Sequence, residues 1–190
     1  MPARGFTLVD LVLVLGLFAV LSAFGIPLLN GATARLRLNQ AARDVERELQ
    51  GAKQRAVTSN RPIRVRFNCP SAGVFRAVEL IGSPSAPAPA DSSDTRCNDS
   101  TYPYPASDRD PVTRPNLDGQ VRRLPGDVAF GETRSIEFWP DGTAHTPPAS
   151  GGANPWPLIS TDGVTLTLAQ QGRTASIQVN GLGRIVLHVQ

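Results

Sequence analysis

One segment constrains this chain more than any other: from Phe6 to Leu29 it runs for 24 residues with Asp10 as the only charge. A helix of that length rises about 36 Å, enough to cross a hydrocarbon core of about 30 Å. A bilayer-spanning helix is therefore the physical default. A cleaved secretory signal is one competing use of such a run. It needs a shorter apolar stretch, a small-x-small cut site and no acid near its start. Ser22-Ala23-Phe24 and Ala19-Val20-Leu21 are poor sites of that kind. A plain membrane anchor is the other use, with Arg4 holding the short N-terminal side in the cytoplasm. Asp10 favours a third. A carboxylate in hydrocarbon is costly and usually marks a partner, and a plain anchor gains nothing from it. If the chain is cut between Gly5 and Phe6, a new α-amino group appears with Asp10 fifth from it. One subunit's Asp10 could then neutralise the next subunit's terminal amine.

Gly5-Phe6-Thr7-Leu8-Val9-Asp10 and the apolar run behind it resemble the class III signal of type IV pilins and type II secretion pseudopilins. The resemblance implies a prepilin peptidase that cuts after Gly5 and methylates the new N-terminal Phe6. It places the family's acidic assembly residue, usually glutamate, on Asp10. Pro27 falls where the family commonly carries a helix-bending proline, a residue that removes one backbone bond and bends the axis.

Beyond Pro27 the pattern turns amphipathic. Leu38, Ala42, Val45, Leu49, Ala52 and Ala56 recur at spacings of four and three, while Arg43, Arg47, Glu48 and Arg55 occupy other faces. The spacing predicts a helix from about Thr33 to Thr58, ended by Asn60-Arg61-Pro62. Ile63, Val65 and Phe67 alternate with Arg64 and Arg66, and 74–81 reads as a second strand. Seven prolines among many Ser, Asp and Ala argue against regular structure between Gly82 and about Gly119. That stretch reads as a long surface loop, or as a disordered insertion. In the last third, 135–139 leads into the Pro140-Asp141-Gly142 turn, and 164–168, 175–179 and 184–189 are joined by Gln171-Gly172 and Asn180-Gly181. This reads as an antiparallel meander. A long N-terminal helix with such a domain resembles the GspH/FimT-type branch of minor pilins and pseudopilins. Phe138-Trp139-Pro140-Asp141-Gly142-Thr143 and Gly181-Leu182-Gly183-Arg184-Ile185 carry that resemblance.

Cys69 and Cys97 both follow the apolar run. On the oxidising side of a membrane they can pair as a disulfide; elsewhere they are two thiols. With His145 and His188 they have no metal-ligand spacing. No phosphate loop, dinucleotide turn or nucleophile–base set stands out. Asp141 and Asp162 sit beside glycine, as turn residues do, and His145 stands alone. The net charge is +3 and its arginines are scattered, a weak argument for nucleic acid. Some FimT-type proteins resemble DNA binders with a Gly-Arg-x-Arg motif; Gly183-Arg184-Ile185-Val186 has only the first arginine.

The expected organisation is α+β and type IV pilin-like. It comprises a leader over 1–5, a transmembrane and assembly helix over 6–29, an amphipathic helix over 30–59, and a periplasmic β domain over 60–190 with its loop at about 82–119. The expected function is that of a non-enzymatic minor pilin or pseudopilin with no cofactor and no metal, in a type II secretion pseudopilus or a type IV pilus. The alternatives are a DNA-binding minor pilin and a membrane-anchored periplasmic protein. Expected partners are other pilins through the N-terminal helix, the prepilin peptidase and the bacterial inner membrane, but not nucleic acid.

Overall fold

The structure is a computed structural model that describes residues 7–105, 117–131, 134–149 and 154–189, excluding the side chains of 23–30 and 189. It divides into two compact units, Met1–Leu36 and Arg37–Gln190. The helix α1, Leu8–Ser59, is continuous through that boundary. This is the expected long N-terminal helix, its apolar and amphipathic halves forming one element that runs on through Pro27 and Asn30-Gly31.

In the second unit the alanine-rich stripe does what its period predicts. Leu38, Ala41, Ala42, Val45, Leu49, Ala52 and Ala56 are all buried. Small residues on that stripe let the helix backbone lie close to the strands beneath it. Asn60 then turns left-handed (φ 53°), and the Arg61 amide reaches back to the Ala56 carbonyl at 3.3 Å. This is a Schellman-type stop, with Asn in the place usually taken by glycine.

Among the described residues, nine strands form two antiparallel sheets. They are β1 (Ile63–Phe67), β2 (Val74–Glu79), β3 (Arg122–Arg123), β4 (Ala129–Phe130), β5 (Ile136–Phe138), β6 (Ala144–His145), β7 (Val164–Gln170), β8 (Arg173–Val179) and β9 (Ile185–Val189). One sheet has the order β3-β2-β1-β5-β6 and the other β4-β7-β8-β9. The expected single meander therefore holds only for β7-β8-β9. β5 leaves that run and pairs with β1, Val65 opposite Ile136. The short strands β3, β4 and β6 carry too few residues to show a period. One hydrophobic cluster joins the α1 stripe to both sheets, through Val65, Phe75 and Phe138 on one side and Leu166, Leu168 and Ile177 on the other. Phe67, Phe75 and Phe130 meet there with ring centroids 5.2 to 6.5 Å apart.

The sharpest departure from expectation is at the arginines of β1 and β2. Alternation implied that Arg64 faces water, yet Arg64 is 2% exposed and Arg76 is 0% exposed. Both faces of these strands are covered, one by the core and the other by the proline-rich segment. That segment is not irregular throughout: it holds two 3-10 turns, Pro89–Ser92 and Asp94–Cys97. Arg76 donates to the carbonyls of Gly119 (2.8 Å), Arg96 (2.9 Å) and Tyr102 (2.8 Å). Arg96 lies fully buried between Asp118 (2.7 Å) and Asp91 (3.3 Å) and also donates to the Glu79 carbonyl. Asp91 in turn accepts the amides of Ile81, Gly82 and Ala88. Prolines cannot donate to a ladder, so side chains take over the work of fixing this segment. Cys69 and Cys97 join it covalently to the end of β1, with Cα atoms 5.6 Å apart.

Two outcomes follow for the full-length protein in detergent. Arg96→Met strands two buried carboxylates and lowers unfolding stability by about 3–5 kcal/mol. Arg47→Met, which removes an exposed i,i+3 pair with Asp44, changes it by less than about 0.5 kcal/mol. Denaturant titration compares them, and equal effects would contradict the assigned role of Arg96. For the protein isolated without reductant, intact mass is two hydrogens below the reduced value; two alkylatable thiols would refute the pairing.

Candidate functional site

Among the described residues, two features concern function: the exposed apolar start of α1, and the turn-rich end of the sheet domain. In the first unit, the large apolar side chains from Leu8 to Leu21 are exposed, from 44% at Val14 to 78% at Leu8. A soluble helix hides one such face; this one shows apolar groups all round. Among the described residues no helix is long and apolar enough to cross a membrane. The described part of the apolar run, 7–22, would rise about 24 Å. Pro27 lies among 23–30, where side chains are not described, and Gly5 and Phe6 lie outside the described residues.

Asp10 sits in the first turn of α1. Its Oδ2 accepts the Thr7 amide at 3.1 Å and the Thr7 hydroxyl at 2.8 Å, while the Thr7 hydroxyl oxygen receives the Asp10 amide at 3.3 Å. This is a reciprocal capping box, which satisfies otherwise orphaned amides at the helix start. The Thr7-x-x-Asp10 spacing is legible in the sequence, and the counter-ion argument passed over it. Both bonds go to Oδ2, so Oδ1 has no partner among the described residues.

At the far end of the domain, Pro140-Asp141-Gly142 forms the expected turn, with Gly142 at φ 84°. Asp141 accepts the Thr143 hydroxyl at 2.5 Å and its amide at 2.9 Å. The hydroxyl bond first, then the amide bond, hold the Asp141 carboxyl below its ordinary range. His145 meets the Thr143 hydroxyl at 2.9 Å and the Trp156 carbonyl at 2.8 Å. Its ring stacks on Trp139 at 3.7 Å. Trp139 donates to Glu137 (2.7 Å), which pairs with Arg64, whose guanidinium lies 3.9 Å over Trp156. This is a sealed packing network: each polar group is used in holding its neighbour. No group of metal-binding side chains occurs among the described residues.

Arg184 is exposed in the β8–β9 turn, and its amide donates to the Asn180 side chain at 2.9 Å. The turn is not the two-residue Asn-Gly type expected; Gly183, at φ 65°, makes the reversal. Around Arg184 a shallow recess of about 240 Å³ is lined by Thr161, Gln178, Asn180, Val186 and His188. It gathers no second arginine. Sequence reasoning also passed over Lys53, whose ammonium donates to the carbonyls of Leu182 (3.1 Å) and Gly183 (3.0 Å). As the single lysine in a chain of arginines, it was the available signal.

No family model matches this chain, and no curated protein matches it. Among solved structures it is similar to two crystal forms of the type IV minor pilin FimU from Pseudomonas aeruginosa strain PAO1. For one, identity is 16% and the TM-score 0.44, over 80% of this chain and 92% of that one. For the other, identity is 16% and the TM-score 0.46, over 82% and 91%. Scores this low leave the function to be argued from the residues themselves.

Proposed function

We propose that this chain is a non-enzymatic minor pilin or pseudopilin, built into a filament through the first part of α1. It would serve a type II secretion pseudopilus, in the manner of GspH, or a type IV pilus, in the manner of FimT, near the tip where assembly starts. The observation that carries this is the all-round apolar exposure from Leu8 to Leu21 around one capped acid. Such a helix is stable only in lipid or in a bundle of similar helices. The precursor would sit in the bacterial inner membrane with its C-terminal domain in the periplasm. A prepilin peptidase would cut after Gly5 and methylate Phe6.

Asp10 holds two roles in this proposal. Oδ2 caps the helix, and Oδ1 receives the terminal amine of the neighbouring subunit. Pro27 would adjust the axis of the assembled helix. The DNA-binding alternative rests on Arg184, which has no second arginine and no lysine in its recess, so no structural observation favours it.

N-terminal sequencing of the membrane form should read from Phe6, and Gly5→Leu should abolish that terminus. A terminus at Met1 or near Ala23 would overturn the proposal. Two substitutions then separate the roles of Asp10. Asp10→Ala removes cap and charge; Asp10→Asn keeps an acceptor for the cap and removes only the charge. Both should insert normally, since losing a charge eases insertion by about 2–3 kcal/mol. Both should lose crosslinks to neighbouring subunits, because stranding the amine in a low-dielectric bundle costs about 3–5 kcal/mol. Normal crosslinking of Asp10→Asn would reduce Asp10 to a helix cap.

A further inference from the structure

In the Arg37–Gln190 unit a groove of about 440 Å³ runs between α1 and the end of the four-stranded sheet. Its lining is Gln50, Lys53, Gln54, Val57, Thr58, Gly183 and Ile185. Val57 is 48% exposed on its helical wall, and Ile185 is half-buried against the core on the other. The sheet wall is β9, the free edge of its sheet. Edge strands are usually blunted by proline, lysine or a bulge. β9 reads Ile-Val-Leu-His-Val and has none of these. An ammonium has three donors; Lys53 spends two on main-chain carbonyls at the groove floor. It forms no ion pair with a carboxylate among the described residues, whereas several arginines do. The sheet-edge loop is held closely here: a Cβ on Gly183 would meet the Lys53 Nζ at 2.9 Å.

We infer that this groove is a docking site for an extended peptide segment of another protein, one that alternates apolar and acidic residues. The segment adds a strand to β9. Its apolar side chains point to Val57 and Ile185, and one carboxylate reaches the third donor of Lys53. Strand addition supplies main-chain bonds, and the alternating side chains give selectivity. The charge selects an acidic segment over a basic one. This inference does not depend on the filament proposal, since every residue in it belongs to the second unit.

The test uses the full-length protein in detergent and two acetylated peptides, one alternating Val with Glu and Thr, the other with Lys in place of Glu. The Glu peptide should bind and slow amide exchange across 185–189, and the Lys peptide should not. Lys53→Met should weaken the Glu peptide about tenfold. Should Lys53→Met fail to fold, Val57→Gln decides the matter: it leaves the Lys53 charge in place, removes the apolar helical wall and should weaken the Glu peptide to a similar degree. Equal binding of both peptides, binding without protection of β9, or no binding would each overturn the inference. So would protection of β9 without peptide, since that would mean a second copy of this chain occupies the edge.

Discussion

The Arg37–Gln190 unit depends on three buried guanidinium groups. Arg64 and Arg76 lie beneath a segment too rich in proline to make its own ladder, and Arg96 is buried within that segment. Each meets carbonyls or carboxylates that would otherwise be orphaned, and Arg's fixed fork of donors suits that task better than a lysine would. The cost of burying such charges is offset where they are paired, as Arg64 is with Glu137 and Arg96 with Asp118; the Arg96 Nε and the Asp118 Oδ2 stay without a hydrogen-bond partner among the described residues. The network gives the five-stranded sheet a second covered face. It also makes the described parts of what composition reads as an insertion, 82–105 and 117–119, a wall of the domain, stapled by Cys69–Cys97.

That network explains what could and could not be read from the sequence. The α1 stripe, its Asn60 stop and the β7-β8-β9 meander were legible because each is local: one period, or one turn residue, sets the outcome. β1 was legible as a strand, but its environment was not. Alternating Arg64 with Val65 has the same pattern whether the arginine meets water or a carboxylate 73 residues away. The partition of strands into two sheets was equally hidden, since β5 pairs with its neighbour β6 but also, through long-range pairing, with β1 rather than with the β7-β8-β9 run. Of the candidate site, Asp10 was found and half understood. Its charge pointed to a distant partner while its spacing from Thr7 pointed to a local one, and the structure shows the local one in place.

At the helix start the same rule, that a charge needs a partner, acts with far less material. Around Asp10 there is one threonine and a ring of apolar side chains. Thr7 satisfies one carboxylate oxygen and leaves the other, so the charge is only partly matched within the chain. The domain, by contrast, pairs its buried arginines with its own carboxylates and carbonyls. On the proposed reading, stability and assembly reside in different parts of the molecule.

The central claim is that this chain is a component of a filament. The most direct measurement is isotope-dilution mass spectrometry of filaments isolated from the envelope, using tryptic peptides from the Arg37–Gln190 unit. A filament subunit appears there at a fixed ratio to the major subunit, and that ratio persists through repeated shearing and washing. A chain that remains with the membrane fraction, at a ratio falling to background as filaments are purified, would contradict it.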